Sequence, residues 1–344
     1  MTAAMDGFEA WLPRGADLAA DIMREALVWE GSVGWTPECL PYSGGVLEQY
    51  RHARHDHLSL TVAAEWNGVE AAMRHLAKLR RWFGERAGEF ALVQTADEIE
   101  AARQSDRLAI SFNFQGAGPF GNDPAMAEVY ARLGVKLAIL SYNGRNALGD
   151  GCQEPGNAGL SSLGKAFVGA LNKAGIVIDL SHAGERTSLE TIDASSHPVV
   201  FSHSNPCSVY NQIRNISDDM IKACAGRGGV IGINSLGFML DSENRSTPEK
   251  FVRHVSRVAE LTGPEHAALG LDWNFYDPFM QQMFREFPQL AKLGYPPPPW
   301  DSLAPRKVVS IARLLLQEGW RRSEIEGLLG GNMMRIARQV WRAA

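Results

Sequence analysis

What the chain lacks narrows it first. It has no run of 18 apolar residues, which argues against a transmembrane helix. Cysteine is scarce and scattered: Cys39, Cys152, Cys207 and Cys224 form no Cys-x-x-Cys pair. They read as reduced thiols rather than as a disulfide framework. Basic residues are in deficit, with 34 Lys and Arg against 39 Asp and Glu and a formal charge of −5, so nothing favours nucleic acid or another polyanion as partner. The opening stretch, MTAAMDGFEAWLPRGADLAADIMREA, carries acids and lacks the apolar core of a secretory signal. The expected setting is therefore cytoplasmic, away from membranes. Internal repeats and low-complexity linkers are missing too. The exception is YPPPPW at 295–300, which reads as a rigid polyproline spacer before the last helices.

What is present points to alternation. A length of 344 residues suits one large α/β barrel or two medium domains. Eight short β-like runs stand out: Leu27–Glu30, Leu58–Ala63, Leu108–Phe114, Val135–Ser141, Ile176–Ser181, Val199–Ser202, Val230–Asn234 and Ala267–Leu271. Between most of them lie stretches with apolar residues at three and four spacing, such as GVEAAMRHLAKLRRWFGERA and EKFVRHVSRVAELTG. Ser217 is an N-cap signal before DDMIKA, and Gly175 is a stop after LNKA. Apolar strands alternating with helices imply a parallel sheet. Eight of them favour a closed (β/α)8 TIM barrel over an open sheet. The expected organisation is one barrel domain over 1–344, with an N-terminal extension. Two amphipathic helices, SLAPRKVVSIARLLLQEGW and SEIEGLLGGNMMRIARQVW, are expected to close its outer layer.

In a barrel the chemistry sits where strands end. Two runs, IVIDLSH ending at His182 and VVFSHS containing His203, each close on a Ser–His pair, 21 residues apart. That spacing is about one strand–helix–strand unit and sets two imidazoles side by side at one rim. Imidazole is the commonest metal ligand, but a catalytic zinc wants three protein ligands and an open position. Asp272, in AALGLDW, ends the eighth run and suits a general base or an acceptor for an amine proton. Arg214, in NQIRNISDD, could clamp a substrate carboxylate with two parallel hydrogen bonds. Its plainer reading is a surface ion pair with Asp218 or Asp219. Glu30–Gly34, including Ser32, follow the first run, Gln115 the third, and Tyr142 and Asn143 the fourth; Asn234 ends the seventh. The tract HARHDH, His52 to His57, looks like a metal tract, but three histidines so close do not converge without a suitable turn.

These segments resemble the membrane dipeptidase (renal dipeptidase) family of metallopeptidases. The resemblance is carried by YARLGVKLAILSYNGRNALGDG, GLSSLGKAFVGALNKAGIVIDLSHAGERT, HPVVFSHSNPCSVYNQIRNISDD, GGVIGIN, HAALGLDW and GLLGGNMMRIARQVW. It implies a (β/α)8 barrel with two zinc ions at its mouth, hydrolysis of dipeptides and related small amides, and a tendency to dimerise. His182 and His203 match the two histidines of the second zinc. Arg214 matches the arginine that holds the substrate's C-terminal carboxylate, and Asp272 the aspartate near its amine.

The departures are as specific as the matches. The family's first strand ends in Asp-Gly-His-x-Asp, whose His and second Asp bind the first zinc. Here the segment reads Glu30-Gly31-Ser32-Val33-Gly34. Gln115 stands where the family has a metal-bridging Glu, and Tyr142 where it has a carbonyl-polarising His. A pair of zinc ions about 3.5–4 Å apart needs anionic charge between them. No binuclear zinc centre is therefore expected, and a single zinc on His182 and His203, with the Gln115 carbonyl oxygen, is what remains. The expectation is a hydrolase of this family, acting on a dipeptide or small amide with a free carboxylate. Asp272 and Tyr142 would be catalytic, and Arg214, Asn234, Gln115 and Ser32 would bind substrate. The alternatives are a metal-independent enzyme on a small amino-acid-like carboxylate, and a ligand-binding member without catalysis.

Overall fold

The computed structural model describes residues 17–34, 43–275, 277–286 and 295–342. Of the expected N-terminal extension only the helix Leu18–Glu25 falls within that range, and Cys39 lies outside it. Among the described residues nine strands are present: β1 (Trp29–Gly34), β2 (His57–Ala64), β3 (Phe90–Leu92), β4 (Leu108–Gln115), β5 (Val135–Ile139), β6 (Val177–Asp179), β7 (Val200–Phe201), β8 (Val230–Ile233) and β9 (Ala267–Leu269). All pair in parallel, in the order β1-β2-β4-β5-β6-β7-β8-β9. With helices between them, these eight form a nearly closed (β/α)8 TIM barrel.

β3 is the strand that the sequence pattern does not reveal. It pairs with the first half of β4, Phe90 opposite Leu108 through Leu92 opposite Ile110, while β5 takes up the same edge from Phe112 onward. It splints one stave of the barrel without adding another. Three residues are too few for a two-residue period to register.

The strands sort their side chains by alternation. On β4, Ile110, Phe112 and Phe114 join the core between barrel and helices; Phe114 meets Tyr130 and Phe120 edge-on. Its alternate residues face β2 through a polar ladder. Ser111 bonds His57 at 3.0 Å, Asn113 donates to Ser59 at 2.9 Å, and Gln115 donates to Thr61 at 3.1 Å. His57 thus belongs inside the barrel, its ring tilted against Trp29 at 3.7 Å, while His55 packs edge-on against Tyr50. Burial pushes both imidazoles down to about 3. The HARHDH tract serves packing.

The helix Val308–Gln317 packs in the outer layer against Leu18–Glu25 and Pro248–Thr262. The last helix, Asn332–Val340, does something else. Its Met333, Ile336 and Ala337, with Trp341, pack on Trp29, Ala109, Val177, Val200, Val230 and Ala268, residues at the strands' N-terminal ends. It plugs the barrel floor, so the opposite rim is left as the working face. Ser217 caps its helix by accepting from the Met220 N–H, and Gly175 ends another in the left-handed conformation at φ +70°. Among the described residues no helix is long and apolar enough to cross a membrane.

Candidate active site

The two Ser–His pairs are built on one carboxylate. Asp179, the last residue of β6, accepts through Oδ1 from the backbone N–H groups of Ser181 and Ser202, each at 3.0 Å, and from the Ser181 hydroxyl at 2.6 Å. Its Oδ2 pairs with the Ser202 hydroxyl. Each serine ties its strand end to Asp179 and so fixes where the next residue, a histidine, points. The Ser202 carbonyl sits in space that only glycine leaves open: a Cβ on Gly270 would stand 1.9 Å from it, one on Gly232 2.1 Å and one on Gly31 2.8 Å.

His182 and His203 meet at the mouth, Nε2 to Nε2, at 3.0 Å. Their neighbours set the tautomers. Asn143, held at φ +61°, donates through Nδ2 to the Tyr295 hydroxyl at 2.8 Å. Its Oδ1 therefore faces His182 Nδ1, 2.7 Å away, and accepts that proton. His182 Nε2 is then a lone pair, and His203 Nε2–H donates to it. His203 Nδ1 accepts from the Ser202 hydroxyl at 2.7 Å. The Ser202 hydroxyl lies between His203 Nδ1 and Asp179 Oδ2, and burial pushes the Asp179 carboxyl upward. Burial, reinforced by the Arg214 charge, holds both imidazoles well below their usual range, so both are neutral. The ring of Tyr142 stacks on His182 at 3.9 Å, and Trp66, 68% exposed, meets Tyr142 edge-on at 5.5 Å.

Arg214 is 2% exposed. It donates through Nη1 to the Ser181 carbonyl and interacts with Cys152 and Tyr295. Among the described residues no carboxylate lies within 4.0 Å of it; Asp218, the alternative partner, pairs with Arg257 at 2.5 Å. Asp272 follows β9 in the left-handed conformation, φ +50°, and accepts from Asn234 Nδ2 at 3.2 Å. Burial raises it to about 6, with Asn234 and Arg214 pulling the other way. Gln115 Nε2 donates to Ser32 at 3.1 Å as well as to Thr61.

Sequence reasoning thus named His182, His203, Arg214, Asp272, Asn234, Tyr142, Gln115 and Ser32, and all lie at this rim. Seven of them fall into three contacts, the imidazole pair with Tyr142, the Asn234–Asp272 pair and the Gln115–Ser32 pair, and Arg214 stands on the Ser181 carbonyl. Glu30, Asn143, Cys152, Asp179 and Tyr295 also line this mouth, and the sequence pattern assigns none of them a role. Asp179 and Asn143 were within reach, being a polar residue inside IVIDLSH and the neighbour of Tyr142. Glu30 is fully buried, accepts from the Ser32 N–H at 3.3 Å, and is pushed up to about 8 by burial, with the Asp272 charge adding to it. Tyr295 carries no local signal. Among the described residues no three His, Cys, Asp or Glu side chains are grouped to hold a metal ion.

Comparison with known proteins agrees with the fold. Residues 47–292 match the family model described as membrane dipeptidase, peptidase family M19. Among curated relatives, the dipeptidase verJ of Clonostachys rogersoniana is 30% identical over 226 residues, covering 65% of this chain and 57% of that protein. The dipeptidase tcpJ of Claviceps purpurea is 26% identical over 252 residues, covering 72% and 55%. The chain therefore spans just over half the length of these relatives. Among solved structures, an amidohydrolase from Pseudomonas aeruginosa superposes with a TM-score of 0.82 at 25% identity, covering 94% of this chain and 99% of that one. A metallo peptidase from Rhodobacter sphaeroides, solved with a phosphinate mimic of the dipeptide L-Ala-D-Ala, has a TM-score of 0.77 at 16% identity, covering 92% and 99%, and speaks to the fold alone.

Proposed function

This chain belongs to the membrane dipeptidase family, and on that premise we propose that it is a hydrolase of a dipeptide or related small amide with a free carboxylate. The observation that carries the proposal is Arg214. It is a buried guanidinium at the barrel mouth, with no carboxylate within 4.0 Å among the described residues. A cation so placed is costly to bury unless a ligand anion completes it, and the guanidinium fork matches a carboxylate in geometry. Asp272 supplies the opposite end. With its carboxyl at about 6 it is mostly ionised at neutral pH and can hold a substrate ammonium. The Tyr142–His182–His203 group stands at the same mouth, where the scissile amide would lie. In the reaction water adds to the carbonyl carbon, the C–N bond breaks, and the amine leaves with a proton that the water gave up.

The residues present do not fit the two-zinc centre that the family implies. Ser32 and Gly34 hold the places of two ligands, and the Gln115 amide that of the bridging carboxylate. Its Nε2 is directed to Ser32 and Thr61. Two neutral imidazoles and an amide oxygen bring no negative charge, so they would hold one zinc weakly and a second not at all. The contact between His182 and His203 favours a second reading, in which their hydrogen bond opens and the freed His182 Nε2 lone pair works metal-free as a proton acceptor for the attacking water.

The test is metal content and turnover on one preparation. Protein purified without added zinc is expected to carry at most one equivalent and to release alanine from alanylalanine. Two tightly bound equivalents would overturn the reduced site. Turnover that survives chelation selects the metal-free reading, and binding of alanylalanine without turnover under any metal loading overturns the hydrolase.

A further inference from the structure

We propose that Tyr295 is a second arm of the carboxylate clamp, delivered to Arg214 by the segment YPPPPW. This rests on the reading of Arg214 as the site for a substrate carboxylate and adds a residue to it. The segment is more than a spacer. Trp300 packs on Phe238 at 5.2 Å, Tyr295 meets Phe238 edge-on at 5.6 Å, and the two rings stack on each other at 5.7 Å. Trp300 Nε1 donates to the Pro296 carbonyl at 2.7 Å, and Asn244 donates to the Pro299 carbonyl at 3.3 Å. Phe238 itself belongs to a small apolar cluster with Leu236 and Met239, just beyond β8. The prolines and this cluster fix the segment over the mouth, so the Tyr295 hydroxyl is pre-placed there.

The hydroxyl's partners decide what it can do. It accepts from Asn143 Nδ2 at 2.8 Å and lies beside the Arg214 guanidinium, which also interacts with it. Both neighbours are donors. The phenol's own proton is left without an oxygen acceptor among them, the nearby Cys152 sulfur being only a weak one, and it stands beside a cation that has no carboxylate within 4.0 Å among the described residues. An incoming carboxylate would fill that place, taking one oxygen to the guanidinium and accepting from the phenol with the other. The phenol keeps this proton at any physiological pH, since burial pushes it up to about 12. A neutral ligand end, such as an amide, would gain little from the pair, so the arrangement reads charge at one end of the substrate.

The experiment is calorimetric binding of alanylalanine and of alanylalaninamide to the full chain, to Tyr295→Phe and to Arg214→Gln. Tyr295→Phe deletes one oxygen and keeps the ring that packs on Phe238 and Trp300, so the fold is retained. It is expected to weaken binding of the acid about tenfold or more, the usual worth of a hydrogen bond to a charged group, while leaving the amide within twofold. Arg214→Gln is expected to remove the preference for the acid altogether. If Arg214→Gln has this effect and Tyr295→Phe has none, the Tyr295 arm falls and the Arg214 reading stands. Equal loss for acid and amide in Tyr295→Phe also overturns it, since that is what a merely structural tyrosine would give. Failure of Arg214→Gln to alter the preference, or failure of the unmodified chain to bind either probe, overturns both.

Discussion

Glu30 is a side chain whose ionisation this fold opposes. It is fully buried and pushed from 4.5 up to about 8. An acid whose pKa is higher folded than unfolded favours the fold while protonated in both states. That contribution is lost as pH rises from about 4.5 through about 8. Glu30→Gln removes the titration while keeping the shape. The variant is therefore expected to gain on the unmodified chain as pH rises from 5 to 8.5, by on the order of a few kcal/mol at full ionisation. Urea denaturation at a series of pH values checks it, and a pH-independent difference would refute it. A second expectation concerns Asn143, whose Oδ1 accepts from His182 Nδ1. Asn143→Asp sets a carboxylate on that N–H and should raise the pKa of the imidazole pair by about one unit or more, read by nitrogen NMR of the histidine rings. At this scale the sequence was legible wherever a polar residue ends a strand, because the barrel rim collects such residues by construction. Tyr295 was not legible, since it stands 23 residues beyond Asp272 in the sequence, and no periodicity connects the two.

Among the elements, the strand ends show how far glycine decides the site. The Ser202 carbonyl, one residue before His203, lies where side chains on Gly232 and Gly270 would be. Gly270→Ala would put a methyl 1.9 Å from that oxygen, and only backbone movement can relieve the clash. Its expected cost is about 3 kcal/mol or more, beyond the ordinary range of overpacking, together with displacement of His203. Gly169, inside the helix Ser162–Ala174, has nothing within 4 Å of its would-be Cβ. Gly169→Ala should stabilise by roughly 0.5–1 kcal/mol through helix propensity alone. Urea denaturation of the two variants side by side gives opposite signs if close approach is the cause, and similar small effects if it is not. The sequence announced these strands through their apolar runs but placed several boundaries a residue or two off. β6 stops at Asp179 and β7 at Phe201, short of Ser181 and Ser202. The serines resemble strand continuations in pattern, but they bond Asp179 and leave the ladder.

On the scale of the whole molecule, alternation of apolar runs with helical stretches was enough to name the barrel, because a parallel sheet buried on both faces has few other ways to close. It did not show that the last helix plugs the floor. That depends on which residues the strands' N-terminal ends present, and an amphipathic pattern names an apolar face without naming its partner. The lost metal ligands are a question for the whole molecule as well, since they come from staves far apart in sequence that the barrel brings together. Ser32 and Gln115 already touch at 3.1 Å across β1 and β4, and Gly34 closes the same β1. If the rest of the barrel is intact, Ser32→His, Gly34→Asp and Gln115→Glu together should return an imidazole and two carboxylates to the mouth beside His182 and His203. The anionic charge would then offset two dications. The triple variant is expected to bind two zinc equivalents, measured by elemental analysis after dialysis, against at most one in the unmodified chain. Its alanylalanine hydrolysis should become strictly zinc-dependent. In Gln115→Glu alone the new carboxylate has no metal to neutralise it; it should lower stability by about 1–3 kcal/mol and recruit no second ion. Should the triple variant fold but bind no more zinc than the unmodified chain, the difference from the family's metal centre would lie beyond these three positions, and the barrel mouth itself would have changed shape.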